Sequence, residues 1–393
     1  MVILPKVRGF ICTTAHPKGC EANVRAQIDY VKSQPKTQGA KKVLVVGASM
    51  GYGLASRISA AYSCDAATIG VIFDKPGTDS KPASAGWYNT AAFEKAAAED
   101  GLYAKTINGD AYSEEIKAKV IDLIKKDLGK IDMLIYSMAA PRRTMADGTV
   151  YSSVLKTTGD AYTNKTIDLR TKEITEVTIP PASDEEILAT VKVMGGEDWM
   201  DWIEALKAAD AIEADAVTLA YSYIGPELTH PVYMDGSIGR AKEHLFMTSK
   251  EISKKFPGIK ALISVNKALI TQSSAAIPIV PLYISILYRI MKDKGVHEGC
   301  IEQMYRLLHD KVYGEHFTTD GEGRIRMDDL EMEPEIQKRV ADVWERIDSE
   351  SLRTDADIDG YWDDFYQLFG FHMPGVNYEE DVSCNVSIPS IEE

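Results

Sequence analysis

The stretch VLVVGASMGYGLASRISAAY, residues 43–62, decides the fold. Four apolar residues, 43–46, run into Gly47, as a buried parallel strand does on leaving a sheet. The glycine-rich turn then opens a helix of small residues. In that setting the glycines carry meaning. Gly47 permits a tight turn, and Gly51 and Gly53 let backbone approach a pyrophosphate and let the helix lie close to the sheet. A helix N-terminus supplies unpaired N–H groups and the positive end of a dipole. The spacing is G-x3-G-x-G rather than G-x-G-x-x-G, so a plain strand–helix turn is the competing reading.

The pattern repeats outward from this unit. ATIGVIF (67–73), LYAKTIN (102–108) and IDMLIYSM (131–138) read as further strands. A helix is expected near 90–99. Another is expected over SEEIKAKVIDLIKKDL (113–128), with Ser-Glu-Glu as its N-terminal cap. Strand and helix alternating in this way predict an α/β fold built on a doubly wound parallel sheet of the Rossmann type. Residues 141–196 break the rhythm, and TVYSSVLKT and KEITEVTI predict an inserted β-hairpin. EDWMDWIEALKAAD (197–210) and 238–255 read as helices. AVTLAYSYIG (216–225) and ALISVNKALI (261–270) read as strands that resume the sheet. Residues 295–393 read as a mainly helical extension with a turn near DGEGR (320–324). The expectation is one elaborated domain spanning 1–393.

Composition bounds the function. The chain has 393 residues, 45% hydrophobic and 26% charged, and a net charge of −15. Such acidity opposes general binding to nucleic acid or anionic membranes. Five scattered cysteines, Cys12, Cys20, Cys64, Cys300 and Cys384, read as free thiols of a reducing compartment. The first residues resemble no signal or transit peptide. AAIPIVPLYISILY (275–288) is too short to span a bilayer and carries two prolines. A cytoplasmic protein is expected. Cys12, His16 and Cys20 in CTTAHPKGC are ligand types, but the spacing is not that of a zinc finger and no fourth ligand is evident locally, so no metal is expected.

Strand exits locate the candidate site. The second strand ends at Phe73 and Asp74, where a carboxylate accepts from both ribose hydroxyls and repels a 2′-phosphate. This favours NADH over NADPH, although Lys75 and Lys81 soften the repulsion. Asp110 and Ala111 follow the third strand, at the level of adenine, and Met138, Ala139 and Ala140 follow the fourth. Tyr233 and Lys242 are nine positions apart, about 900° of helical rotation, so they converge only if Tyr233 lies outside the helix. Asp235-Gly236-Ser237 is turn chemistry that would place Tyr233 on a loop, with Asp235 or Ser237 capping a helix that carries Lys242. A tyrosine O–H near a carbonyl stabilises the enolate formed when a conjugated C=C is reduced, and a lysine cation lowers the tyrosine pKa and binds ribose. Tyr223 sits just past another strand end. With 19 tyrosines in the chain, the pair alone leaves chance open.

The motifs GASMGYG, AGWYN, NGDA, APRR, VMGGEDW, AYSYIG, the Tyr233–Lys242 pair, ITQSSAAIP, HEGCIEQ and RMDDLE occur in an order and spacing that resembles the FabV-type trans-2-enoyl-CoA / enoyl-acyl-carrier-protein reductases. The resemblance runs from about residue 5 to about 380. It implies an NADH-dependent enoyl-thioester reductase on an enlarged short-chain-dehydrogenase-like fold, acting on enoyl-CoA or an enoyl-acyl-carrier protein. It implies a monomer, with a dimer as the alternative. By position it makes Tyr233 the proton donor, Lys242 a cofactor-binding partner and Tyr223 a substrate contact. It implies that Gly47, Ala48, Ser49, Met50, Gly51 and Tyr52 meet the pyrophosphate, Phe73 and Asp74 the adenosine, and Asp110 and Ala111 the adenine. Met138 and Ala139 would line the nucleotide, and Leu269, Ile270 and Thr271 the nicotinamide. The family often has Glu where Asp74 stands. Ile277, Pro278, Ile279, Leu282 and Tyr283 are candidates for an acyl channel or for core packing, and Arg142 and Arg143 for CoA phosphates or solvated loop charges. A carbonyl reductase and a non-catalytic dinucleotide sensor are the alternative functions.

Overall fold

The structure is a computed structural model that describes residues 1–8, 11–168 and 171–392. Seven strands form its central sheet: β1 (Lys42–Val46), β2 (Ala67–Ile72), β3 (Ala104–Asn108), β4 (Ile131–Tyr136), β5 (Ile212–Ser222), β6 (Lys260–Val265) and β7 (Ile325–Arg326). Every pairing in it is parallel, and the order is β7-β6-β5-β4-β1-β2-β3. The chain winds outward from β1 to β3, then returns to β4 on the other side of β1. That reversal opens a crevice at the carboxyl ends of β1 and β4, where ligands gather in this architecture.

Period-two alternation in buried strands sends side chains to two cores. Val43, Val45, Met133 and Ile135 join one apolar cluster; Leu44, Val46, Leu134 and Tyr136 join the other. Helices α1 (Pro17–Ser33), α2 (Gly51–Ser63) and α3 (Ala85–Glu99) cover the first face. Helices α4 (Glu114–Asp127), α6 (Glu197–Ala208) and α7 (Ser237–Lys255) cover the second, bringing Val120, Ile124, Trp199, Trp202, Leu245 and Ile252. The expected cap of α4 is present: the Ser113 hydroxyl accepts from the Ile116 amide at 3.2 Å, and Glu114 and Glu115 stand in the first turn.

The insertion differs from expectation. It carries two hairpins, not one. Arg142–Thr144 pairs with Val150–Ser152, and Tyr162–Asp168 pairs with Glu173–Ile179. The two expected strands therefore each find a different partner. An unexpected helix, α5 (Asp184–Met194), follows, held by a capping box between Ser183 and Glu186. Helix α1 was also not expected. The His16 ring caps it, accepting from the Gly19 amide at 3.2 Å, with Pro17 in the first turn.

The C-terminal third adds α8 (Val280–Lys294), α9 (Cys300–Arg306), α10 (Pro334–Arg346) and β7, one border of the sheet. The last residues strap the opposite border. Trp87 donates to the Val386 carbonyl, the Tyr88 hydroxyl to the Cys384 carbonyl, and the edge amide of Thr106 to the Ser390 hydroxyl at 2.8 Å. No helix among the described residues is long and apolar enough to cross a membrane.

Candidate active site

The glycine turn at the end of β1 has no room for side chains at two positions. Gly47 has φ +84°, and a Cβ there would lie 2.1 Å from the Ser137 carbonyl oxygen. A Cβ on Gly53 would lie 1.9 Å from the carbonyl oxygen of Gly47 itself. The Gly47 and Ala48 amides both donate to the Val71 carbonyl at 3.0 Å, pinning the turn to β2. The Ser49 carbonyl accepts from the Asn89 amide group. Met50 opens α2 without a side-chain cap, so the first N–H groups of the helix are left for an anion. The Tyr52 hydroxyl donates to the Lys267 carbonyl at 2.7 Å and ties α2 to the exit of β6. There Thr271 comes within 3.6 Å of a Cβ built on Gly51, while Leu269 and Ile270 are buried.

At the end of β2, Phe73 is 79% exposed. Beside it, Asp74 accepts from the Ser84 hydroxyl at 2.8 Å. Burial pushes its carboxyl above the usual aspartate value, against the pull of hydrogen bonds from Ser84 and Ser49. A Cβ on Gly86 would lie 2.4 Å from the Asp74 carboxylate, so only glycine fits at that point of α3. Asp74 and Asn108 exchange two hydrogen bonds that clamp the ends of β2 and β3 together. Asp110 accepts from the Tyr112 amide, and Ala111 is buried. Past β4, Met138 is half-buried and Ala139 exposed. All of these residues lie at the carboxyl ends of the strands. A cradle that no Cβ could share, free helix amides and a carboxylate at the next strand exit fit a dinucleotide.

Tyr233 precedes α7 and Lys242 lies within its early turns, the arrangement the Asp-Gly-Ser turn predicts. The cap differs. Gly236 occupies the N-cap, and Ser237 instead donates to the Val154 carbonyl and accepts from the Lys156 amide, binding α7 to the insertion. Tyr233 is 9% exposed, and its hydroxyl has no protein hydrogen-bond partner among the described residues. Its ring meets that of Tyr223 edge to face, 4.8 Å between centroids at 90°. Lys242 donates to the Tyr221 carbonyl at 2.9 Å rather than to Tyr233. Burial brings the Lys242 ammonium down to about 8 and pushes the Tyr233 phenol above 10. Desolvation dominates over the expected lowering by the lysine and keeps the phenol protonated in the ligand-free protein.

Packing answers one other expectation. Arg143 is buried, pairs with Glu197 at 2.9 Å and Asp201 at 3.3 Å, and lies over the Tyr112 ring. It braces the insertion and is not available to a phosphate; Arg142 is exposed. In the apolar stretch, Ile277, Ile279, Leu282 and Tyr283 are all buried, and Tyr283 is drawn to Glu331, where its hydroxyl donates. Glu331 also accepts from Tyr223. Within RMDDLE, no local pattern marks Glu331 for a role.

The chain matches three family models. They are described as the NAD(P)H binding domain of trans-2-enoyl-CoA reductase (residues 2–79), the trans-2-enoyl-CoA reductase catalytic region (81–313) and the enoyl reductase FAD binding domain (319–382). The last segment builds β7, α10 and the helices after it, and contains no strand–glycine turn–helix unit that would seat a second dinucleotide. A trans-2-enoyl-CoA reductase [NADH] of Ruminiclostridium cellulolyticum is 56% identical over the full length of both chains. So is an enoyl-[acyl-carrier-protein] reductase [NADH] of Flavobacterium johnsoniae. Among solved structures, the Treponema denticola trans-2-enoyl-CoA reductase in complex with NAD superposes with a TM-score of 0.95 at 47% identity, covering 99% of this chain and 100% of that one. The Clostridium acetobutulicum trans-2-enoyl-CoA reductase in complex with NADH gives 0.95 at 44%, covering 98% of each. By sequence over its whole length and by fold, this chain belongs to the trans-2-enoyl-CoA reductase family.

Proposed function

We propose that the protein reduces the C2=C3 bond of trans-2-enoyl thioesters, with NADH as reductant. The observation that carries the assignment is the Tyr233 hydroxyl, on a largely buried residue whose desolvation keeps the phenol protonated, and unclaimed by any described residue, in a chain of this family. NADH supplies the hydride, which goes to C3 of the substrate. Charge then develops on the thioester oxygen. A Tyr233 O–H aimed at that oxygen stabilises the enolate, and the same group gives up the proton that ends on C2. Water reprotonates the phenolate. Burial of most of the residue limits the competition from solvent when the charge appears.

The cofactor reading assigns residues 47–52 to the pyrophosphate and Phe73 and Asp74 to the adenosine. Asp110 and Ala111 take the adenine, Met138 and Ala139 line the nucleotide, and Leu269, Ile270 and Thr271 take the nicotinamide. Lys242 has N–H groups to spare beyond its bond to the Tyr221 carbonyl, and these suit the nicotinamide ribose. Tyr223 walls the substrate through its ring. The thioester is a CoA or an acyl-carrier-protein adduct, since relatives of equal identity bear each name. The five unpaired thiols agree with a cytoplasmic setting. We also read the chain as one elaborated domain, supported by a core cluster that runs from Ile3 to Ile388.

The test is NADH oxidation upon adding crotonyl-CoA, repeated with NADPH and with a carrier-protein thioester. Oxidation that depends on the enoyl thioester and favours NADH is expected. Oxidation only with ketones would overturn the reading, as would tight NADH binding with no turnover on any enoyl thioester.

A further inference from the structure

Glu331 is completely buried, and it forms no ion pair among the described residues. Its carboxylate is satisfied by three neutral donors. One oxygen accepts from the hydroxyls of Tyr223 at 3.0 Å and Tyr283 at 2.6 Å. The other accepts from the Ala268 amide at 2.7 Å. The Gln337 side chain closes the cluster, donating to the Glu331 carbonyl at 2.7 Å and to the Tyr283 hydroxyl at 3.2 Å. One side chain beyond β7 thus holds the exit of β5, the exit of β6 and the first turn of α8.

This commits the Tyr223 hydroxyl. It donates to Glu331, and it lies so near the chain at Gly225 that a Cβ there would stand 2.6 Å from it. What Tyr223 turns toward Tyr233 is its ring. The two tyrosines divide the work. Tyr233 keeps a free donor, and Tyr223, tethered at its far end, fixes the face against which the Tyr233 ring is packed. The Ala268 bond lies immediately before Leu269, Ile270 and Thr271, so the same carboxylate sets the segment assigned to the nicotinamide.

We propose that Glu331 is a positioning residue of the reduction, acting through the Tyr223 tether and the Ala268 amide without touching substrate or cofactor. The proposal rests on the enoyl-thioester reading. Misplacing a reacting group by about 1 Å costs up to roughly a hundredfold in rate. A glutamine at 331 offers one oxygen to three donors and turns an NH2 against one of them.

The experiment compares wild type, Glu331→Gln, Tyr223→Phe and the double variant. The readouts are crotonyl-CoA reduction, NADH affinity by fluorescence and folding by circular dichroism. We expect kcat of folded Glu331→Gln to fall about 10- to 100-fold, while the NADH Kd moves by less than about threefold. The double variant should be no slower than about threefold below the slower single, because both changes cut one tether. A kcat within about threefold of wild type in folded Glu331→Gln overturns the proposal, as do losses that multiply in the double variant. A purely structural glutamate would lower the melting temperature and leave the kcat of the folded fraction intact. Should Glu331→Gln not fold, Tyr283→Phe takes its place. It removes one donor from the carboxylate and should lower kcat about 3- to 10-fold; a wild-type kcat there sinks the idea. Inactivity of the wild type toward every enoyl thioester overturns the reaction and this proposal together, whereas an active wild type with an equally active variant overturns only the role of Glu331.

Discussion

Replacing Tyr233 by Phe separates chemistry from packing in this site. The ring and its edge-to-face contact with Tyr223 stay, and only the hydroxyl goes. That hydroxyl bonds to no described residue, so its loss strands no partner. The variant should therefore stay close to wild type in stability, with a melting temperature no more than about 2 °C lower. Turnover should behave differently. Removing one donor aimed at a developing oxyanion costs about 2.7–4 kcal/mol, or about 10²–10³ in kcat. NADH affinity should stay within about twofold, because no cofactor contact is lost. Steady-state NADH oxidation with crotonyl-CoA, fluorescence binding and a thermal melt read the three quantities on one preparation. A kcat within about threefold of wild type would refute Tyr233 as the donor. A comparable rate loss accompanied by a melting drop of many degrees would show that the hydroxyl serves the fold instead.

Other perturbations test the cofactor side. Asp74→Ser should narrow the preference for NADH over NADPH by about tenfold or more in kcat/KM, because the carboxylate that repels a 2′-phosphate is gone; an unchanged ratio in paired assays would remove Asp74 from the ribose. Gly47→Ala must place a Cβ against the Ser137 carbonyl at a φ of +84°. It should cost at least about 1–2 kcal/mol in a denaturation curve and weaken NADH binding more than tenfold, and a variant that binds normally would contradict the cradle. Lys242→Met tests the burial of the ammonium. The group ionises near 8 in the folded protein against 10.5 when unfolded, so between those values the unfolded chain binds more protons and stability rises with pH. Ligand-free wild type should therefore gain on the order of 1–2 kcal/mol over the variant from pH 8 to 10, allowing for solvent at a half-buried amine. Lys267 also lies near 8, but it is present in both proteins and cancels. A flat difference across that range would refute the desolvation.

The parts legible in the sequence are those written in local periodicity. Residues 43–62 gave strand, turn and helix because an apolar run, three glycines and a small-residue helix are all contiguous. The Asp-Gly-Ser turn separated Tyr233 from α7 for the same reason. Helix α5 could have been found, since Ser183 and Glu186 form a capping box, but the β-like Thr and Val content around it dominated. His16-Pro17 is a helix start that ligand-like cysteines on either side obscured; Cys20 lies inside α1. Strand β7 spans two residues, too few for any period. Glu331 was out of reach for a different reason. Its partners lie 108, 63 and 48 residues away, and no local pattern records a carboxylate whose role is created by tertiary contact. Arg143 failed similarly, because its acidic partners sit on α6.

The strap formed by the last residues sets an order on biosynthesis. The cofactor turn and the four strands nearest it are complete by Tyr136, yet both borders of the sheet wait for the final third of the chain. One waits for β7 and the other for Ser390, whose hydroxyl satisfies the edge amide of Thr106. A nascent chain therefore emerges with two open β-edges, each a template for a neighbouring copy. A stop codon a dozen residues early would leave every catalytic candidate in place and still yield a protein prone to polymerise.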